Sequence, residues 1–262
     1  MRVGAATHTG RVRSTNEDAY CVLRDPAGAY LLLAVADGMG GHEGGEIASA
    51  LALSTLAREV ARGLNTAGAD PAVVLAMGVE KANQTVYRTS IQRLGMGGTM
   101  LGLGMGTTLT CSLIVGSRGY IAHVGDSRVY LWREGSLQVI TQDHSLVAEM
   151  VRDGEIDKDQ ADQDPRRHVL TRAVGTQANV VPDLTGIDLQ PGDRMLLCSD
   201  GLSGVVSDQV LGRVLSSGAT CDETATGLVG EALEAGGPDN ITAVVLFVNG
   251  APGSNQAGGR HD

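Results

Sequence analysis

The apolar positions of the chain follow two different rhythms. Short continuous runs bounded by turn residues occur at Tyr20 to Leu23 and at Tyr30 to Ala36, and runs of that length predict buried strands. Asp37-Gly38-Met39-Gly40-Gly41 then ends the second run abruptly. From Glu46 to Leu64 the apolar residues Ile47, Leu51, Leu56, Val60 and Leu64 recur instead at helical spacing, which predicts an amphipathic helix. Pro71 to Arg93 reads as a second helix, with Asp70 as its N-cap and Pro71 at the first helical position.

Strand-like runs return at Thr107 to Val115, Gly119 to Val124, Val129 to Trp132 and Leu137 to Thr141. The turn residues between them predict an antiparallel meander, with Gly125-Asp126-Ser127 as one of its hairpin turns. A polar, charge-rich stretch from His144 to Arg167 carries only helical fragments and reads as a surface insertion. Beyond it come strands at Val180 to Leu189 and Arg194 to Cys198, helices at Ser207 to Leu215 and Asp222 to Ala235, and a closing strand at Ile241 to Val248. Strands before and after a central helix pair, with two later helices, predict sheets packed together and covered by helices outside. The glycine-rich run from Gly95 to Gly106 reads as a flexible connection, and the sequence from about Gly250 onward as a flexible tail or linker with nothing to bury.

Composition narrows the function. A 262-residue chain that is 42% hydrophobic can bury a sizeable core, but with 3% aromatics that core rests on Val, Leu, Ile and Ala, and little is left for base stacking. A formal net charge of -10 argues against a nucleic-acid binder, which needs clustered positive charge. Four cysteines without a CxxC pair read as free thiols in a reducing compartment. No stretch reaches the roughly 18 to 20 apolar residues of a membrane span, and the N-terminus does not read as a signal peptide, so a cytoplasmic location is expected.

The candidate chemistry lies in acidic residues. Asp37, Asp200 and Asp239 each sit where strand-like sequence gives way to a turn. Taken singly, an Asp-Gly step is ordinary turn chemistry. Taken together, carboxylates at the ends of buried strands are costly unless something positive joins them, and hard divalent ions such as Mg2+ and Mn2+ favour oxygen ligands. Other motifs fail: no cysteine has an arginine six residues later, His42-Glu43-Gly44-Gly45-Glu46 lacks the second histidine of a zinc-protease helix, and the glycine-rich run has no Gly-Lys-Ser/Thr.

The segments RVRSTNEDAY, VADGMGGHEGGEIAS, MGTTL, HVGDSRVYL, LLCSDGL and GGPDNIT together resemble, in order and spacing, the motif set of the PPM family, the type 2C serine/threonine phosphatases, in its bacterial form. The resemblance implies an α+β fold: a four-layer α-β-β-α sandwich of two mainly antiparallel sheets flanked by helix pairs. It implies a phosphatase domain over 1–249, a flap at about 145–171 beside the active site, and a tail over 250–262. Two Mn2+ or Mg2+ ions are implied, bridged by Asp37, with Asp200 and Asp239 completing the first and the Gly38 carbonyl binding the second. Glu17 and Asp18 would hold metal-bound water, Asp126 would help bind a third ion, and Arg13 would bind phosphate through its planar fork. The implied reaction is hydrolysis of phosphoserine or phosphothreonine by metal-activated water, with Arg13 and Asp37 as catalytic residues. Its implied substrates are phosphorylated proteins including a Ser/Thr kinase, acted on by a monomer. Met39 stands where eukaryotic relatives carry a histidine proposed as general acid, which shifts that task to metal-bound water. Asp164-Pro165 and Arg167-His168 also depart from the bacterial pattern, so flap contacts do not carry over. Two alternatives are a sporulation-type phosphatase of anti-sigma-factor antagonists and a catalytically silent scaffold; the latter is expected to lack an acidic ligand, and none is missing.

Overall fold

The computed structural model describes residues 1–40, 44–95 and 104–249. Residues 41–43 of the second motif, most of the glycine-rich run and the expected tail lie outside the described residues. The chain opens with strands β1 (Arg2–His8), β2 (Asp18–Arg24) and β3 (Leu31–Met39), followed by helices α1 (Gly44–Leu64) and α2 (Pro71–Gly95). Strands β4 (Gly106–Thr107), β5 (Leu109–Val115), β6 (Arg118–Val124), β7 (Arg128–Arg133) and β8 (Ser136–Val139) come next, then short helices α3 (Leu146–Arg152) and α4 (Lys158–Gln163). Strands β9 (Asp183–Asp188) and β10 (Arg194–Cys198), helices α5 (Asp200–Ser203), α6 (Asp208–Ser216) and α7 (Cys221–Glu234), and β11 (Ile241–Phe247) complete the described elements.

Two antiparallel sheets result, one in the order β1-β11-β10-β7-β8 and the other β2-β3-β5-β6-β9, with β4 paired to β3. Strand β3 shows why they stack. Its side chains alternate between faces, and both faces are apolar: Leu32, Ala34 and Ala36 pack with Leu56, Val60 and Leu75 of α1 and α2, while Leu31, Leu33 and Val35 pack with Met195, Leu197, Val244 and Leu246 of the other sheet. That second sheet turns Leu196, Ala243 and Val245 outward onto Leu211, Leu228 and Val229 of α6 and α7. The layers are therefore helices, sheet, sheet, helices, as the family resemblance implies. Asp70 caps α2 as expected, its Oδ1 accepting the Ala72 N–H at 2.9 Å.

Two expectations need correction. β3 does not stop before Asp37: it pairs with β2 as far as Asp37, opposite Asp18, and with β4 through Gly38 and Met39, so the strand is held to its last residue on the β4 edge. The meander is not one sheet. β5 and β6 belong to one and β7 and β8 to the other, so Gly125-Asp126-Ser127 is a crossing between sheets rather than a hairpin turn. Gly125 supports it with φ of 114°, a value open to glycine. The stretch that opens at His144 lies at the surface as expected, most of it exposed or half-buried, and is anchored inside by His144, Ser145, Val147 and Ala161.

Candidate active site

The crossing and the strand ends converge on one cleft of about 720 Å³. Asp37 comes from the end of β3, Asp200 from the step after β10, Asp239 from the residues before β11, and Asp126 from the crossing between β6 and β7. Arg13, Glu17 and Gly38 line the same cleft. Asp18 lies beneath it, buried, with Oδ2 accepting the Ser199 hydroxyl at 2.7 Å. The sequence-derived candidates are thus brought together, although they are spread over most of the chain.

The two Asp-Gly steps turn out to need glycine for close packing. A Cβ on Gly38 would overlap the Gly45 carbonyl at the start of α1, and one on Gly201 would overlap the Asn240 carbonyl. Neither glycine has positive φ, so turn geometry is not what requires them. Asn240 ties the N-terminal loop to this corner. Its side-chain oxygen accepts the Glu17 N–H at 2.8 Å, and its amide donates to the Thr9 and Thr15 carbonyls, each at 2.9 Å. Arg13 is thereby held over the cleft, where its Nη2 lies 2.8 Å from Asp239 Oδ2. Thr108 braces the other side, its hydroxyl accepting the Asp37 N–H and pairing with the Ser127 hydroxyl, both at 2.8 Å.

Negative charge in this cleft exceeds what the protein offsets. Asp18 and Asp37 are directly opposed on β2 and β3, an arrangement that is unfavourable when both are ionised. Burial, with Asp200 and Asp239 nearby, pushes the Asp18 carboxyl up to about 7 against the Ser199 bond. Burial, aided by Asp200 and Asp143, pushes Asp126 up to about 8. Burial and then Asp18, Asp200 and Asp126 raise Asp37 well above the carboxylate range, and burial raises Glu17. Asp200 differs: burial works against its charge, but His168, Asp37 and Arg13 together hold its carboxyl low. His168 reaches it from the excursion between β8 and β9, with Nδ1 at 3.6 Å from Asp200 Oδ2.

These features fit divalent cations. Asp18 Oδ1 is buried without a hydrogen-bond partner, an unusual state that a bound ion or its water relieves. The donors are all oxygens, as Mg2+ and Mn2+ prefer. Among the described residues no three His, Cys, Asp or Glu side chains stand together as a ligand cluster; Asp239 is engaged by Arg13 and Asp200 by His168. Those two contacts partly neutralise carboxylates that lack other counter-charge.

Residues 7–229 match the family described as protein phosphatase 2C. The chain belongs to the protein phosphatase 2C family. It is 40% identical over 248 residues to the serine/threonine protein phosphatase PstP of Mycobacterium tuberculosis, an alignment covering 95% of this chain and 45% of PstP, so the chain spans less than half the length of that relative. It is 36% identical over 248 residues to the serine/threonine phosphatase Stp of Listeria monocytogenes, covering 94% of this chain and 95% of Stp. Among solved structures, the catalytic domain of PstP in complex with two manganese ions matches with a TM-score of 0.80 at 38% identity, over 95% of this chain and 98% of that one. Within this protein phosphatase 2C fold, sequence reasoning assigned no role to Asn240, Ser199, Thr108 or His168. Asn240, Ser199 and Thr108 lie inside the motif segments quoted above, a usable signal; His168 is identified only by what folds against it.

Proposed function

We propose that the chain is a metal-dependent phosphatase acting on phosphoserine and phosphothreonine in proteins. The observation that carries this is the convergence of buried carboxylates from both sheets, short of positive charge, beside the exposed guanidinium of Arg13. Asp37, Asp200, Asp239 and the Gly38 carbonyl would hold two Mn2+ or Mg2+ ions, Glu17 and Asp18 would support their water, and Asp126 would contribute to a third. Ions bound there lower the pKa of water and offset charge on the phosphoryl group.

The chain's own residues supply the rest. Arg13 presents a planar fork suited to two phosphoryl oxygens, and Asp239 keeps that fork at the cleft mouth before substrate arrives. Asn240 fixes the loop that carries Arg13 and Glu17. Thr108 fixes the Asp37 backbone, so the carboxylate is aimed before an ion binds. The excursion 145–171 serves as a flap for the substrate protein, and His168 brings it into contact with the cleft. The substrates are phosphorylated proteins, a Ser/Thr kinase among them, and the protein acts as a cytoplasmic monomer. No helix among the described residues is long and apolar enough to cross a membrane.

The test is hydrolysis of p-nitrophenyl phosphate and of a phosphothreonine peptide. Both are expected with Mn2+ and abolished by EDTA, and Asp37→Asn and Asp239→Asn are expected to stay folded while losing Mn2+ binding by calorimetry and turnover together. Equal hydrolysis with EDTA, or full activity in either variant, would rule the metal roles out.

A further inference from the structure

His144 has no part in the chemistry above, yet it is 4% exposed and meets three parts of the site's frame at once. Its backbone N–H donates to the Gly125 carbonyl at 2.7 Å, and its ring Nδ1 accepts the Gly125 N–H at 3.0 Å. Both backbone polar groups of Gly125 are therefore bonded to one residue. The His144 carbonyl accepts the Thr171 N–H at 2.9 Å, which joins the two ends of the excursion between β8 and β9. Its Nε2 lies 3.1 Å from Asp183 Oδ2 on β9, and the other oxygen of Asp183 binds Arg172, which lines the cleft.

The donors fix the tautomer. A backbone N–H can only donate, so Nδ1 presents its lone pair, and the proton sits on Nε2 facing Asp183. Burial holds the imidazole below its usual range, in keeping with this neutral form. A Cβ on Gly125 would lie 2.6 Å from Thr108 Cβ, so the crossing packs closely against Thr108 as well as bonding to His144. Ser127 is tied to Thr108 in turn. Asp126 thus takes its direction from two backbone neighbours, one clamped by His144 and the other by Thr108.

We propose that His144 is a positioning residue that aims Asp126 into the cleft and couples that aim to the seating of the 144–171 excursion. The proposal rests on the role given to Asp126 above. Its consequence is that a substrate protein pressing on the excursion adjusts an acidic group at the reaction centre through one buried imidazole.

The experiment compares His144→Ala, His144→Asn, His144→Gln, Asp126→Asn and the double variant His144→Ala/Asp126→Asn in the full chain. The Asn side-chain oxygen can replace Nδ1 as acceptor for Gly125, whereas Gln can replace only the Nε2 donor toward Asp183. With saturating Mn2+ and p-nitrophenyl phosphate, His144→Ala is expected to lose about 10- to 100-fold in kcat, as outer partners of ion-binding groups commonly do. His144→Asn recovers most of the loss and His144→Gln does not. The double variant is no slower than Asp126→Asn. Amide hydrogen exchange at Gly125 accelerates in His144→Ala and is protected again in His144→Asn, a readout independent of turnover. Wild-type kcat and unchanged Gly125 exchange in His144→Ala overturn the proposal, as do losses that multiply in the double variant or rescue by Gln alone. If Asp126→Asn turns over like wild type, the reading of Asp126 fails, and Gly125 exchange still decides whether His144 clamps the crossing. If His144→Ala does not fold, the Asn and Gln variants decide by the same exchange and kcat comparison.

Discussion

Asn240 offers the sharpest quantitative check on how the cleft is held. It is 6% exposed and makes three side-chain hydrogen bonds, to the Glu17 N–H and the Thr9 and Thr15 carbonyls. Asn240→Ala removes all three and leaves one donor and two acceptors without their partner. At about 1 kcal/mol net per bond, the variant loses about 3 kcal/mol. For a chain of this size about 1 kcal/mol moves Tm by about 2 to 4 °C, so a drop of about 6 to 12 °C is expected. The loop that comes loose carries Arg13 and Glu17, so KM for p-nitrophenyl phosphate rises by a larger factor than kcat falls. Asn240→Asp separates the terms: it keeps an acceptor for Glu17 but turns a carboxylate toward two carbonyls, and melts at least as low as the alanine variant. Thermal unfolding with steady-state kinetics at saturating Mn2+ reads both effects. A Tm within about 2 °C of wild type together with an unchanged KM refutes the reasoning and shows that β1 and the Arg11 N–H to Gly237 carbonyl bond hold the loop without Asn240.

Gly201→Ala forces a methyl group into the Asn240 carbonyl, and overpacking of this kind costs about 1 to 3 kcal/mol. It displaces Asp200 and Asn240 together, so weaker Mn2+ binding by calorimetry accompanies the lower stability; Gly230→Ala on α7, with open space around its Cβ, serves as the control and shows neither. Asp193 gives a pH test away from the cleft. Burial alone would raise its carboxyl, but Arg133 at 2.6 and 2.8 Å and the Gln190 N–H at 2.7 Å hold it below the usual range. A depressed folded pKa stabilises the protein above the unfolded value of about 3.9 and loses that contribution as pH falls through the folded value. The stability gap between wild type and Asp193→Asn in urea unfolding is therefore full at neutral pH and closes below about pH 4; a gap that does not change with pH contradicts the pairing.

Where local chemistry decides an element, the sequence was readable. Arg194 to Cys198 was read to the residue, because an apolar run buried on both faces is bounded by Gly192-Asp193 and Ser199-Asp200. Asp70 and Pro71 marked the start of α2, and helical spacing marked α1. The sheet switch at Gly125-Asp126-Ser127 was not readable: turn residues announce a change of direction, but which strand pairs next depends on distant packing. Asp37 looked like the end of a strand because β4, which holds Gly38 and Met39 in place, is two residues long and lies far along the chain. The candidate aspartates were legible by position and motif, while their bracing was not, since Asn240 and Glu17 are 223 residues apart. His144 was hidden for the opposite reason, being a buried side chain in a polar stretch.

The place of β11 has a consequence for how the molecule comes into being. The last strand among the described residues is not an edge: it lies between β1 and β10 and follows directly from Asp239 and Asn240. Until it inserts, the first sheet is split in two and the cleft lacks both an acidic wall and the anchor for the Arg13 loop. Such non-local closure is slow to form, and it makes the chemistry all-or-none with respect to length. A chain clipped ahead of Asp239 is expected to lack the cleft altogether rather than to hold a weakened one, and a nascent chain to lack it until β11 is available.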